Sequence, residues 1–126
     1  MAIYTGKTGL VKADANTVGE IGEWSAQISM EFEDTTKFGD TFKNKTATIG
    51  DWNGSFNGRS DMSDAGQTAL KAALLAGTPV AVTLQMDTGK TITGNVLITG
   101  MNPAATAAGV ATTAWNFEGT GAPTLT

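Results

Sequence analysis

The 126-residue chain contains no cysteine and no histidine. Without cysteine there is no disulfide framework, no thiolate nucleophile and no Cys-ligated zinc. Without histidine there is no imidazole base and no Ser-His-Asp triad. Aromatic residues are scarce at 7%, so the core must be lean and an aromatic-lined sugar cleft is hard to build. Basic residues are in deficit: eight Lys and Arg stand against twelve Asp and Glu, a net charge of −4. Such a chain grips phosphate backbones poorly. No run approaches the roughly 18 apolar residues of a membrane-spanning helix. Met1–Lys12 lacks the apolar stretch of a signal peptide and reads as mature protein. Asn44 and Asn53 head Asn-x-Ser/Thr sequons, which carry no meaning without a secretion signal.

What is present is small and β-branched: 16 Gly, 21 Thr and 18 Ala. That composition leans toward sheet, and the length fits one domain, residues 1–126. From Ile21 to Glu33 the alternation is clean. Trp24, Ala26, Ile28, Met30 and Phe32 fall on one side; Glu23, Ser25, Gln27, Ser29, Glu31 and Glu33 fall on the other. This is the period of a half-buried strand. Thr8–Ala13 is a shorter strand candidate, followed by a turn at Asp14-Ala15-Asn16-Thr17. Asp34–Gly50 breaks the pattern and reads as a long loop, of the kind that is usually functional. Its Phe38 and Phe42 are expected to be buried against something. Asp51–Arg59 alternates again, with Trp52, Gly54, Phe56 and Gly58 on one side; glycine in every second slot suggests a close approach.

A single helix is expected over Asp64–Ala76. Ser63 or Asp64 caps it, Asp64 and Gln67 have capping-box spacing, and Gly77 and Pro79 end it. Val80–Met86, the turn Asp87-Thr88-Gly89 and Ile92–Thr99 read as a hairpin, Gly100–Ala107 as a connection and Ala108–Glu118 as a last strand. Gly119–Thr126 is expected to need a partner for order. The fold class is therefore mostly β (α+β): an antiparallel β-sandwich or barrel with one flanking α-helix.

Chemical motifs are weak. Gly6-Lys7-Thr8 and Gly89-Lys90-Thr91 echo the end of a phosphate loop, but the required earlier glycine is Leu84 in the second and has no room in the first. Alternating oxygens from Asp51 to Asn57 lack the Gly and Glu of a calcium loop, where Phe56 and Met62 stand instead. Glu31, Glu33 and Asp34 are adjacent acids, better read as a solvated edge or an assembly surface than as a glycosidase pair. No catalytic, metal or cofactor site is expected, and the chain is not expected to be an enzyme. Lys37, Lys43 and Lys45 form a loose basic cluster, while Asp14–Asp40 holds seven acids and one lysine. That asymmetry suits head-to-tail pairing between copies.

The order of these features resembles the major tail tube proteins of long-tailed bacteriophages. The resemblance is carried by Gly9-Leu10-Val11, the acidic run Glu31-Phe32-Glu33-Asp34 and the loop Thr35-Thr36-Lys37-Phe38-Gly39-Asp40. Asp51-Trp52-Asn53-Gly54-Ser55-Phe56-Asn57-Gly58 is its strongest piece, followed by the Asp64–Gly77 helix and the Val80–Gly100 hairpin. The resemblance implies a structural subunit of stacked, hexameric rings that form a hollow conduit for DNA, located in a virion tail and assembled in the host cytoplasm. It implies a long inter-ring loop (34–50) and flexible N- and C-terminal arms. Partners would be further copies, tape-measure, baseplate or tip, and tail-terminator proteins, and passing DNA without specific binding; no membrane. A conduit should not attract phosphate, which makes Glu23, Ser25, Gln27, Ser29, Glu31, Thr83, Gln85, Thr91, Thr93 and Asn95 the lumen candidates. Asp34, Lys37, Phe38, Asp40, Phe42, Lys43 and Lys45 are the inter-ring loop candidates. The alternative is a monomeric β-sandwich binding or decoration module of a virion.

Overall fold

The computed structural model describes residues 9–19 and 21–126. The expected start of the first strand at Thr8, the N-terminal arm and the Gly6-Lys7-Thr8 motif lie outside them. The strands are β1 (Leu10–Ala13), β2 (Asn16–Thr17), β3 (Ile21–Asp34), β4 (Lys45–Arg59), β5 (Val80–Asp87), β6 (Lys90–Ala104), β7 (Thr112–Gly119) and β8 (Thr124–Leu125), with one helix, α1 (Ala65–Ala76). They form one antiparallel sheet in the order β2-β1-β5-β6-β7-β4-β3, with β8 also paired to β6. The sheet curls on itself: the indole Nε1 of Trp24 on β3 donates to the carbonyl oxygen of Gln85 on β5 (3.1 Å).

Alternation decides which face is buried. Val82 and Leu84 of β5, Val96 of β6, Trp52 and Phe56 of β4, and Trp115 and Phe117 of β7 point into one core. Phe117 meets Trp52 edge-on, with centroids 5.7 Å apart, and Phe56 lies nearly parallel to Trp115. Gly54, one of the two glycines expected to permit close approach, does so, and Gly94 does the same. A Cβ on Gly54 would collide with the Ser25 carbonyl oxygen and lie 2.7 Å from the Phe117 ring. A Cβ on Gly94 would lie 2.6 Å from the Trp52 indole. The core side of the sheet is covered by α1, whose Leu70 and Ala73 are buried in the same cluster.

The helix starts and stops where its residues dictate. The Asp64 side chain accepts from the Gln67 amide, and Gly77 adopts the left-handed conformation (φ 68°) that ends it. The capping box is incomplete. Buried Gln67 turns away from Asp64: its Oε1 accepts from the Asp61 amide, and its Nε2 donates to the carbonyls of Gly19 and Arg59. Asp64 Oδ2 also accepts from the Gly19 amide (3.0 Å), so one carboxylate holds the helix start and the approach to β3. Asp64→Ala is expected to cost about 1–2 kcal/mol, and Asp64→Asn much less, as measured by urea unfolding.

Several boundaries differ from those expected. Asn16 and Thr17, expected as part of a turn, form β2. β4 begins at Lys45, so the loop is residues 35–44 rather than 34–50. β6 runs through Pro103 to Ala104, where a connection over Gly100–Ala107 was expected, and β7 starts at Thr112 rather than Ala108. β5 pairs β6 only as far as Val96, so one edge of β6 is unpaired at Pro103, and a residue without an N–H is tolerated there. The C-terminal segment, expected to need a partner, is paired within its own chain. Thr124 and Leu125 pair with Thr93 and Ile92, Thr126 N–H donates to Thr91, and the Trp52 indole donates to the Gly121 carbonyl (2.9 Å).

Candidate assembly surfaces

Two regions carry the residues singled out from sequence. The first is the outer half of the β3–β4 hairpin. The β4–β7 ladder ends at Asn53↔Glu118, yet β3 and β4 remain paired out to Asp34↔Lys45. Beyond Ile28 and Trp52 the hairpin is therefore a two-stranded ribbon with no neighbouring strand on either edge among the described residues. Six further residues on β3 and seven on β4, at ~3.3 Å each, carry it roughly 20 Å past the sheet. Nearly every residue of it is exposed on both faces. Ile28, Met30 and Phe32 continue the core-facing row of Trp24 and Ala26, but none of the other described residues covers them.

Phe38 and Phe42 at the tip are open to solvent, and none of the described residues buries them. The tip is nonetheless shaped by its own hydrogen bonds. Asp34 accepts from the Thr36 amide (2.9 Å), and Asp40 accepts from the Lys37 amide (2.9 Å) and the Asn44 side chain (3.0 Å). The Asn44 amide donates to the Thr36 hydroxyl (2.8 Å), and Gly39 takes a positive φ of 95° to close the turn. Hydrogen bonds from Thr36, side chain first and then backbone, hold the Asp34 carboxyl below the usual carboxylate range. Because the folded value is the lower one, this support is complete at neutral pH and lost as pH falls through it. The Thr36 amide resonance is expected to keep its shift through mildly acid pH and to move only in strongly acid solution. In Asp34→Asn it is expected to show no such acid step.

The second region is the outer face of the sheet. Directly paired residues share a face, so the ladders join the two sets of lumen candidates. Gln27 lies opposite Asn53, Asn53 opposite Glu118, and Glu118 opposite Leu97; farther along β6, Thr93 lies opposite Thr83 and Thr91 opposite Gln85. All ten lumen candidates thus stand on the side away from the core. They occupy opposite ends of that side, with β4 and β7 between them.

The residues filling the gap, Asn53, Ser55, Asn57, Asn116 and Glu118, were not among the sequence candidates. The alternation of Asp51–Arg59 gave the facing of Asn53, Ser55 and Asn57, but only the register places all five between the two sets. Here the face is amide-rich, with Glu118 its one charge. Asn57 donates to Glu23 (2.8 Å), the Ser25 and Ser55 hydroxyls meet at 3.5 Å, and an open depression lies among Ser25, Gln27, Asn53, Ser55 and Asn116. Along β3, β4 and β7 the outward charges are Glu23, Glu31, Glu33, Asp51 and Glu118 against Arg59. No group of three or more potential metal ligands is assembled among the described residues.

The two ends of the molecule differ. The ribbon tip stands at one end. The 105–111 connection and the start of α1 stand at the other, tied together where the Ser60 amide donates to Ala111 and Gln67 to Arg59. The outer side of α1 is also unusual. Ala65, Thr68, Ala72, Leu75 and Ala76 make an exposed stripe without a charge, and Lys71 is the only charged residue of the helix. A surface helix ordinarily sets charged residues opposite its buried face.

Comparison with known proteins agrees with this architecture. No curated protein matches the chain. Among solved structures, it is similar to a chain from the tail of an empty gene transfer agent particle refined with C6 symmetry, at 17% identity and a TM-score of 0.84, covering 98% of this chain and 99% of that one. It is similar to the SPP1 tail tube, at 11% identity and a TM-score of 0.75, covering 94% and 77%. It is also similar to a chain of the sheath–tube complex of an extracellular contractile injection system, at 11% identity and a TM-score of 0.72, covering 100% and 90%. At these identities the likeness is one of fold. A sequence profile described as phage tail tube protein matches residues 3–125, nearly the whole chain, and the protein belongs to that family.

Proposed function

We propose that this tail tube subunit stacks head to tail in rings of six and lines a conduit for DNA with the outer face of β3, β4 and β7. The observation that carries the stacking is the ribbon: a paired hairpin projecting past its own sheet, apolar on one side, with both edges unpaired. An isolated domain gains nothing from it, since a two-stranded ribbon in water is marginal by itself. C6 symmetry is reported for the gene transfer agent tail, whose chain has this fold, and it supports rings of six. The conduit reading rests on charge. The outer face of those strands is acidic and amide-rich, which lets a polyanion pass without the grip that lysines would supply.

Lys37, Lys43 and Lys45 at the ribbon end meet acidic side chains of the next ring, which favours head-to-tail over head-to-head contact. Tape-measure, tip and terminator proteins are the expected further partners, and a virion tail the expected location. The subunit works as a building part and not by catalysis.

Electron microscopy of the purified protein across a concentration series tests the reading. Six-fold rings or hollow tubes are expected, and a uniform field of monomers at the highest concentration would count against it. The lumen assignment has its own test. In phage particles carrying the joint substitution Glu23→Lys and Glu31→Lys, tubes are expected to assemble and DNA ejection to slow. Unchanged ejection kinetics would remove β3 from the lumen.

A further inference from the structure

The chain holds two Asn-Gly pairs, Asn53-Gly54 and Asn57-Gly58, and both lie on β4 with the asparagines exposed. Asn-Gly is the dipeptide at which an asparagine is lost most readily, because no side chain hinders the following nitrogen. That nitrogen attacks the asparagine Cγ, ammonia leaves, and a five-membered succinimide forms. Water then opens the ring to aspartate or isoaspartate. The net change is one amide exchanged for one carboxylate, with water the only co-reactant. Packing forces the pairing at the first site. Position 54 faces the core, where a Cβ would collide with the Ser25 carbonyl oxygen and the Phe117 ring, so only glycine fits behind the outward Asn53.

We infer that Asn53 and Asn57 are deamidation sites open only to the unfolded chain, and that the β4–β7 ladder keeps both unreacted in the fold. The Ser60 amide donates to the Ala111 carbonyl on the β7 side (2.9 Å). The register then runs without a shift through Arg59↔Thr112, Gly58↔Thr113 and Gly54↔Phe117. N–H groups of an antiparallel strand alternate in direction, so those of Gly58 and Gly54 also point at β7. The attacking nitrogens are therefore engaged between β4 and β7, and extended backbone holds them away from Cγ. Peeling off β3 alone leaves them so. Freeing them means parting β4 from Thr113, Trp115 and Phe117, all buried, which amounts to unfolding. The products fit the fold badly. Asn57 donates to Glu23 (2.8 Å), and Asn53 stands directly opposite Glu118 in a non-hydrogen-bonded pair, where side chains are close. A carboxylate at either position faces a carboxylate. A chain that has spent long unfolded is thus marked by added charge and refolds less well, while the folded chain keeps these positions as amides. The protection does not depend on assembly.

Mass spectrometry tests the protection. The folded protein and a synthetic peptide of residues 46–59 are held in the same mildly alkaline buffer, and the gain in mass at each asparagine is followed after digestion. Deamidation at Asn53 and Asn57 is expected to be at least roughly a hundredfold slower in the folded protein than in the peptide. It is expected to rise with urea in proportion to the unfolded fraction reported by tryptophan fluorescence. A smaller difference, or a rate indifferent to urea, would overturn the protection. Asn53→Asp and Asn57→Asp stand for the aspartate products. Each is expected to lower the urea midpoint by roughly 0.2–0.5 M, and by less in high salt. Asn116→Asp, with Ser55 and Gly100 opposite instead of an acid, is the control and is expected to change the midpoint little. Equal midpoints for all three variants would overturn the claim that the products refold less well.

Discussion

Replacing Thr35–Asn44 by a two-residue Asn-Gly turn is expected to yield a folded, soluble domain that forms no tubes. The register allows the exchange, because Asp34 and Lys45 are the last pair of the β3–β4 ladder and Asn-Gly closes an antiparallel pair with the right twist. Nothing removed is part of the core. Phe38 and Phe42 are fully exposed, and the hydrogen bonds lost are those the tip makes with itself. Stability measured by urea unfolding is therefore expected to change by no more than about 1 kcal/mol. Assembly is expected to fall from complete to undetectable in sedimentation and electron microscopy, since both aromatic anchors and two of three tip lysines disappear together. Full-length tubes of normal appearance would show that the tip makes no necessary contact between rings.

Trp52→Ala acts on the opposite part of the molecule and in the opposite way. The Trp52 side chain is buried, packs edge-on against Phe117, fills the space that glycine leaves at positions 94 and 119, and donates to the Gly121 carbonyl. Truncation is expected to cost about 3–5 kcal/mol, a large part of the 5–15 kcal/mol that holds a domain of this size. The loss has a local signature as well. The C-terminal segment loses its anchor, so the amides of Thr124 and Thr126 are expected to exchange with solvent sooner than those of β5. Gly119→Ala attacks the same place from the other side, because its Cβ would collide with the indole. It is expected to weaken the domain and release the same strand. A Trp52→Ala protein that melts within a few degrees of wild type, with β8 still protected, would mean that the core closes without this side chain.

The sequence was legible wherever one side of an element is buried and the other is not. Trp52, Phe56, Val82, Leu84, Trp115 and Phe117 could be assigned to the core because burial imposes period two. The helix was legible from its ends, where Asp64 and Gly77 do the work that their side chains and backbones suit. The boundaries that differed share a cause. Lys45–Gly50 reads as loop because a ribbon exposed on both faces is under no pressure to alternate, although Thr46, Thr48 and Ile49 are good strand formers. Pro103 reads as a stop because sequence does not reveal which edge of a strand is unpaired. Gln67 fits a capping box by spacing, but a buried amide satisfies whichever partners surround it, and those are set by the packing of β4 and the approach to β3. As for the assembly surfaces, the facing of Glu23, Ser25 and Gln27 could be read from alternation. That Asn53 and Asn116 lie beside them could not, because strand order is a long-range property.

The ribbon and the helix start occupy opposite ends of one chain, and this has a consequence for growth. A head-to-tail polymer of such a part has two unlike tips. One presents free ribbons, apolar and with bare strand edges; the other presents helices and connections that are already satisfied within their own domain. Addition at the two tips then has different rates and different lower concentration limits, because one tip offers the flexible partner and the other the rigid receiver. The tip with bare edges is also where a wrong strand can pair, so a finished polymer is safest when that tip is covered. A device that counts length thus needs to act on one tip alone, and a single capping component suited to ribbons would stop growth while the other tip stays attached to whatever began it.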